Sequence, residues 1–178
     1  MMELITGFTS DGAIYASYLK EAYRTAQHSP DPSTQVGCVI VNPLMGVIAR
    51  GCNDLPKGII QSKDKLEGMN KSIYVEHAER NAIYRCSQSV LSSTGCHAYV
   101  TLAPCMDCAR ALIQSGITQV VSHKEMLDKY TVDSEKLKHI EYGARLLAEA
   151  GIRNIVWSGT VFTIPVISVR VRGNLWTP

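Results

Sequence analysis

His77-Ala78-Glu79 and Pro104-Cys105-Met106-Asp107-Cys108 are the two segments from which the layout of this 178-residue chain can be worked out. Together they supply one histidine and two cysteines, a set of three ligands that zinc commonly binds. Three protein ligands leave the fourth tetrahedral position of the metal open, as in catalytic zinc sites. Glu79 adds a carboxyl beside the ligands that need not bind the metal. The predicted zinc ligands are His77, Cys105 and Cys108.

An open position on zinc suits hydrolytic chemistry. Free water is a weak nucleophile because its pKa is about 15.7, and coordination to zinc lowers that value toward roughly 7. A nearby carboxyl can then move protons between water and substrate, and we assign Glu79 to this role. The spacing H-x-E followed by P-C-x-x-C is the pattern of zinc-dependent deaminases, in which water displaces an exocyclic amine from a ring.

Two helices are predicted to position these groups. The segment 79–85 has helical character directly after His77, and the segment 105–114 has apolar residues at helical spacing. Cys105 and Cys108 are three residues apart, so they share one face of the second helix. Helix N-termini carry partial positive charge, which favours thiolates and a developing oxyanion nearby.

Two other uses of the same residues are possible in principle. A closed structural zinc site needs a fourth ligand, for which Glu79 is the nearest candidate. A redox pair of cysteines gives no reason for His77 or Glu79 to be present. The combination therefore favours a catalytic metal site.

Composition restricts the class of protein. Hydrophobic residues make up 46% and charged residues 19%, which is typical of one globular domain with a sizeable core. A net charge of +2 gives no reason to expect a nucleic-acid polymer as partner. No apolar run is long enough to span a bilayer, so no membrane partner is expected. The four cysteines outside the metal motif show no pairing pattern, and a reducing, cytoplasmic location is predicted for all six.

Strands and helices alternate along the chain after an initial hairpin. Strands are predicted at 36–41, 46–52, 97–102, 119–122 and 152–157. Helices are predicted at 11–27, at the two segments that follow the zinc ligands, and before Gly151. This order predicts an α/β fold of three layers, a central mixed five-stranded sheet flanked by helices, with the active site at strand ends and helix starts.

We expect one domain over residues 1–178, with a core at about 10–157 and a C-terminal extension at 158–178. Within the extension Ile167, Val169 and Val171 alternate with polar residues, which predicts an additional half-buried β-strand segment. This segment is expected to cap the sheet, and covering a subunit interface is the alternative.

Five blocks of the sequence resemble the deoxycytidylate (dCMP) deaminases of the zinc-dependent cytidine deaminase superfamily. They are Asp31-Pro32-Ser33-Thr34-Gln35-Val36-Gly37, Gly51-Cys52-Asn53-Asp54-Leu55-Pro56-Lys57-Gly58, the block from His77 to Ile83, Tyr99-Val100-Thr101-Leu102-Ala103-Pro104-Cys105, and Ile113-Gln114-Ser115-Gly116-Ile117. The resemblance extends from about Tyr18 to Gly151. It implies a cytidine-deaminase-like fold, one Zn²⁺ per chain on His77, Cys105 and Cys108, and Glu79 as proton donor.

The same resemblance implies the substrate. A dCMP deaminase is a hydrolase that cleaves the C–N bond of a cyclic amidine, converts dCMP to dUMP and ammonia, and supplies dUMP for thymidylate synthesis. The resemblance suggests that Asn53 binds the deoxyribose hydroxyl. We also assign Ala78 and Lys57 to substrate binding, with Lys57 facing the phosphate. A homo-oligomer, hexamer or dimer, is expected, and Mg²⁺ only together with a triphosphate effector.

The family usually has Gly-Tyr-Asn-Gly where this chain has Gly51-Cys52-Asn53-Asp54, and the long C-terminal tail is also outside the family pattern. Two of the departures bear on function. Asp54 replaces a glycine and adds negative charge where many relatives respond to dCTP and dTTP, which argues against nucleotide regulation. Ala103 replaces an aromatic residue, which leaves room for a 5-substituted cytosine.

Three alternative functions follow from the motif. The enzyme could act on another cytosine nucleotide or nucleoside, such as dCTP or 5-substituted dCMP. It could act on tRNA adenosine, although such deaminases need a basic RNA-binding face. A non-catalytic zinc or nucleotide-binding module would have no use for Glu79.

Overall fold

A computed structural model describes residues 2–6, 10–130, 134–162 and 167–178. Its strands are β1 (Glu3–Thr6), β2 (Gly37–Asn42), β3 (Gly46–Cys52), β4 (His97–Val100), β5 (Gln119–His123), β6 (Arg153–Ser158), β7 (Val169–Val171) and β8 (Asn174–Trp176). Its helices are α1 (Ser10–Ala26), α2 (Lys63–Leu66), α3 (Asn70–Tyr74), α4 (Ala78–Gln88), α5 (Met106–Gln114), α6 (Lys124–Tyr130) and α7 (Ser134–Glu149).

The first six strands form one mixed sheet in the order β1-β6-β5-β4-β2-β3. Strand β2 is antiparallel to β3 and β4, whereas β4, β5, β6 and β1 are parallel. Because of these directions, the end of β3, the start of β2 and the end of β4 meet at one edge of the sheet. Gly37 pairs with Cys52, and the Thr101 N–H donates to the Gly37 carbonyl at 3.0 Å.

Alternate residues of the central strands face two separate cores. In β2, Val39 belongs to the buried cluster that contains Tyr23 of α1. Its neighbour Ile40 belongs to the cluster that contains Ala82 of α4 and Leu112 of α5. The sheet is therefore buried on both faces, with α1 on one side and α4 and α5 on the other, which gives the predicted three layers.

The five predicted strands are all present, and the described residues contain one more strand in the sheet. Strand β1 pairs in parallel with β6, with Glu3 opposite Ile155. Sequence reasoning missed it because its four residues are mostly exposed and show no alternation of apolar and polar side chains. No helix in the described ranges has the length and apolarity needed to cross a membrane.

The predicted alternation in the C-terminal extension is confirmed for the residues described, which exclude 163–166. Ile167, Val169 and Val171 are buried, and the residues between them are exposed. The segment does not join the main sheet, because β7 pairs with β8 in a separate antiparallel hairpin.

Candidate metal and active site

His77 and Cys105 occupy equivalent positions at the starts of two helices. Each is the N-cap residue of its helix, α4 or α5, and neither side chain caps that helix. Both backbone carbonyls accept the first helical hydrogen bond, from Asn81 N at 3.0 Å and from Ala109 N at 2.8 Å. The imidazole and the thiol are directed instead into the space between the two helix starts.

Cys108 completes a compact cluster of three metal-binding side chains. It lies in the first turn of α5 and is fully buried. His77 Nδ1 lies 3.6 Å from Cys105 Sγ and 3.3 Å from Cys108 Sγ, and the three ligand atoms lie within 4.8 Å of one another. Zinc with Zn–S bonds of about 2.3 Å and Zn–N bonds of about 2.0 Å would hold its nitrogen and sulfur ligands roughly 3.6 Å apart. The cluster fits a zinc ion.

Charge within the cluster also suits a cation. Hydrogen bonding to Cys108 and His77 lowers the pKa of the Cys105 thiol to about 3. Hydrogen bonding to Cys105 and burial raise the pKa of Cys108. Hydrogen bonding to Cys105 raises the pKa of His77 above its usual range. These shifts favour a thiolate on Cys105, and metal binding would require a deprotonated Cys108 and a neutral His77 as well.

Glu79 lies beside this cluster in the first turn of α4. Its side chain is 4% exposed. Burial raises the pKa of the Glu79 carboxyl, while the neighbouring charge of His77 opposes that shift. The structure thus brings Glu79 together with His77, Cys105 and Cys108.

Two glycines allow α4 and α5 to lie close to the elements against which they pack, β3 and α7. At Gly51 of β3, a Cβ would lie 2.9 Å from Ala82 Cα and closer still to backbone atoms of α4. At Gly143 of α7, a Cβ would lie 2.5 Å from the Pro104 oxygen and 2.9 Å from the carbonyl carbon of Cys105. Only glycine permits such approaches of two backbones. The sheet and α7 therefore fix the positions of α4 and α5.

Asn53, the predicted sugar-binding residue, follows β3 and is buried. Its Oδ1 accepts a hydrogen bond from Val36 N at 2.7 Å. Its Nδ2 donates to Asp31 Oδ2 at 2.7 Å and to the Thr34 carbonyl at 2.9 Å. Both amide N–H groups are therefore used inside the protein, and one lone pair of Oδ1 is left. A substrate hydroxyl would have to donate to that oxygen.

The Asp31 carboxylate is the central acceptor of this network, a role that the sequence analysis did not predict. This carboxylate is 1% exposed and accepts hydrogen bonds from Ser33 N at 2.8 Å and Thr34 N at 3.1 Å. Besides Asn53, it binds Lys71 Nζ of α3 at 2.6 Å. A buried carboxylate needs such partners. Its signal in the sequence was the Asp-Pro-Ser-Thr turn, since aspartate often accepts backbone N–H groups two and three residues later.

The remaining predicted substrate contacts have different surroundings. Ala78, the first residue of α4, is fully buried in the core cluster between α4 and the sheet. Lys57 is exposed and lies in a turn, where the Ile59 N–H donates to the Pro56 carbonyl at 3.0 Å. Asp54 forms a two-way backbone bridge with Glu76, at 3.1 and 2.8 Å, which ties the Asn53 segment to the residue before His77.

Comparison with known proteins points to one family. The model of the cytidine and deoxycytidylate deaminase zinc-binding region matches residues 14–124. The deoxycytidylate deaminase of Mus musculus is 39% identical over 127 residues, 67% of each chain. That of Homo sapiens is 37% identical over 121 residues, 64% of each chain. The matched region thus spans about two thirds of these relatives, and the histidine and two cysteines are consistent with the zinc of the family.

The fold is also shared with a solved structure. The dCMP deaminase of the cyanophage S-TIM5, crystallised with dCMP and dUMP, superposes with a TM-score of 0.60 at 22% identity. The superposition covers 85% of this chain and 99% of that one. It confirms the predicted cytidine-deaminase-like architecture.

Proposed function

Because this chain belongs to the cytidine and deoxycytidylate deaminase family, we propose that it hydrolyses dCMP to dUMP and ammonia. The observation that supports this most directly is the meeting of His77, Cys105 and Cys108 with the buried carboxyl of Glu79. The 39% identity to a mammalian deoxycytidylate deaminase favours dCMP over other amino-substituted rings. The product would supply dUMP for thymidylate synthesis.

In the proposed mechanism, His77, Cys105 and Cys108 would hold one Zn²⁺. When bound, the ion supplies an open coordination position and lowers the pKa of water there to about 7. Glu79 accepts a proton from the attacking water and delivers it to the ring nitrogen of cytosine. It then takes the second proton of the water, from the hydroxyl added to the ring, and delivers it to the departing amine, so that water and dCMP become dUMP and ammonia with no other reactant. Burial of Glu79 keeps the shuttled proton away from bulk solvent.

The remaining parts of the proposal concern substrate and assembly. Asn53 accepts a hydrogen bond from the deoxyribose hydroxyl through Oδ1, Ala78 lines the base site with its backbone, and Lys57 faces the phosphate. The whole chain acts as one deaminase domain that assembles into a homo-oligomer. Its partners are free nucleotides.

A substrate panel tests the proposed function. Ammonia release by the zinc-loaded protein is measured with dCMP, cytidine, dCTP, 5-methyl-dCMP and a tRNA anticodon stem-loop. We expect the highest kcat/KM with dCMP. Preference for the RNA or for dCTP would overturn the assignment of substrate, and absence of turnover with all five would overturn catalysis. Efficient turnover of 5-methyl-dCMP would support the extra room expected at Ala103.

Replacement of Asn53 tests the sugar contact. Asn53→Ala removes the oxygen that would accept the hydroxyl, so KM for dCMP is expected to rise about three- to tenfold. Zinc content should stay unchanged, because Asn53 does not belong to the ligand cluster. The melting temperature should fall as well, since Val36 N and Asp31 each lose a buried partner.

The control for Asn53→Ala is a variant that also loses a hydrogen bond, and therefore stability, but keeps the Asn53 amide. Ser93→Ala meets this need, because Ser93 Oγ donates to the Ser115 carbonyl at 2.8 Å before the start of β4, whereas Asn53 lies beside the end of that strand. KM should be unchanged in Ser93→Ala. Equal KM values for the two variants would remove Asn53 from the substrate site.

A further inference from the structure

The C-terminal hairpin, residues 169–176, packs against the loop 31–35 through hydrogen bonds. These are Gln35 N to Arg170 O at 2.9 Å, Arg170 N to Gln35 Oε1 at 3.0 Å, Arg172 N to Thr34 Oγ1 at 3.1 Å, and Gly173 N to Ser33 O at 2.7 Å. Strand β7 thus has β8 on one side and the loop on the other, which satisfies backbone groups on both of its edges.

The hairpin is itself fixed to the body of the fold. Val169 and Val171 are buried in the core cluster on the α1 face of the sheet. Trp176 stacks on the buried His123 ring with centroids 6.0 Å apart, and it meets Tyr23 edge-on at 5.9 Å. These contacts anchor both strands of the hairpin, so the loop rests against a rigid support.

The opposite side of the same loop holds Asn53. The Thr34 carbonyl and the Asp31 carboxylate accept the two N–H groups of the Asn53 amide, and Val36 N donates to its oxygen. A continuous series of hydrogen bonds therefore runs from the hairpin through the loop to the amide. We propose that the hairpin is a positioning element that sets the orientation of Asn53 toward the substrate sugar. This inference rests on the proposed function.

The turn of the hairpin offers a way to test this without touching the site. Arg172 and Gly173 are its two central residues, with φ of +52° and +83°, between the paired Val171 and Asn174. Two left-handed residues define a type I′ turn, in which asparagine is favoured at the first position. A β-branched residue is strained there. The Arg172 side chain is exposed, so substitutions act through the turn.

The experiment compares Arg172→Ile with Arg172→Asn. Loosening the hairpin with isoleucine is expected to raise KM for dCMP about fivefold, with kcat within about twofold and zinc content unchanged. Asparagine should keep KM at or below the wild-type value. A parallel fall in kcat and zinc content in the isoleucine variant would overturn the proposal, because it would indicate general loss of structure.

Amide hydrogen exchange gives a second readout that needs neither zinc nor substrate. The Gln35 N–H donates to Arg170 O, so exchange in the segment 33–36 should be faster in Arg172→Ile and no faster in Arg172→Asn. Unchanged exchange would show that the hairpin does not hold the loop. Faster exchange with an unchanged KM would show that the loop does not position the sugar contact. If wild-type protein fails to turn over dCMP, the proposed function fails, whereas the exchange data still decide whether the hairpin holds the loop.

Discussion

Replacing Glu79 by glutamine is expected to lower kcat for ammonia release by about 10²- to 10⁴-fold, the usual contribution of a general acid–base group. Glutamine has nearly the same shape as glutamate but cannot exchange a proton between water and the ring nitrogen. The three ligand atoms within 4.8 Å of one another are untouched, so zinc should stay bound at one ion per chain. Steady-state kinetics and metal analysis by mass spectrometry measure the two quantities on one sample.

The same substitution elsewhere serves as the control for Glu79→Gln. Glu141 is an exposed residue of α7, and Glu141→Gln should leave both kcat and zinc content at wild-type values. Residual activity above about a tenth of wild type in Glu79→Gln would contradict the assigned role, because general acid–base catalysis is worth more than this.

Gly143→Ala is expected to weaken zinc binding by about tenfold or more, although Gly143 is not a ligand. The added methyl would lie 2.5 Å from the Pro104 oxygen and 2.9 Å from the carbonyl carbon of Cys105. Both are backbone atoms, so α7 or the start of α5 must move. Residues that orient metal ligands typically change metal affinity by about 10- to 100-fold when replaced. The overpacking should also cost about 1–3 kcal/mol of unfolding free energy.

Competition with a chromophoric chelator measures the zinc affinity of Gly143→Ala, and thermal unfolding measures its stability. Glu141→Ala, an exposed change on the same helix, should bind zinc as tightly as the wild type. Wild-type affinity in Gly143→Ala would mean that the contact between α7 and the Pro104–Cys105 peptide does not control the position of the thiol.

The metal cluster could be predicted from the sequence because its determinants are local. His77 and Cys105 each stand directly before a helix, and the separation of Cys105 from Cys108 by one helical turn puts both thiols on one face. The central strands could also be predicted from the sequence, because a strand buried on both faces, such as β2, is a run of apolar residues. Where one segment determines its own structure, sequence reasoning succeeded.

The network around Asn53 could not be predicted because it depends on distant loops. Asp31 lies 22 residues from Asn53 in the sequence. Its fourth partner is Lys71 of α3, and nothing in the lysine-rich segment around Lys71 distinguishes it from a solvent-exposed loop. Alternation in the C-terminal segment predicted a half-buried strand but contained no information on its neighbour. The hydrogen bonds of that strand to residues 33–35 depend on how the whole chain packs, because packing decides which loop lies beside the free edge of the strand.

The placement of His77 and Cys105 at the starts of two helices gives the metal a mechanical role. An ion held by both residues would tie together points 28 residues apart in the chain. Unlike a disulfide, it would stabilise the folded state by binding to it, and it would leave the unfolded state unrestricted. Since the binding energy is gained only in the folded arrangement, uptake of zinc and folding are thermodynamically linked. In a cell short of zinc, more of the protein would therefore be unfolded and degraded by proteases. The cell would contain fewer folded molecules, rather than the same number without metal.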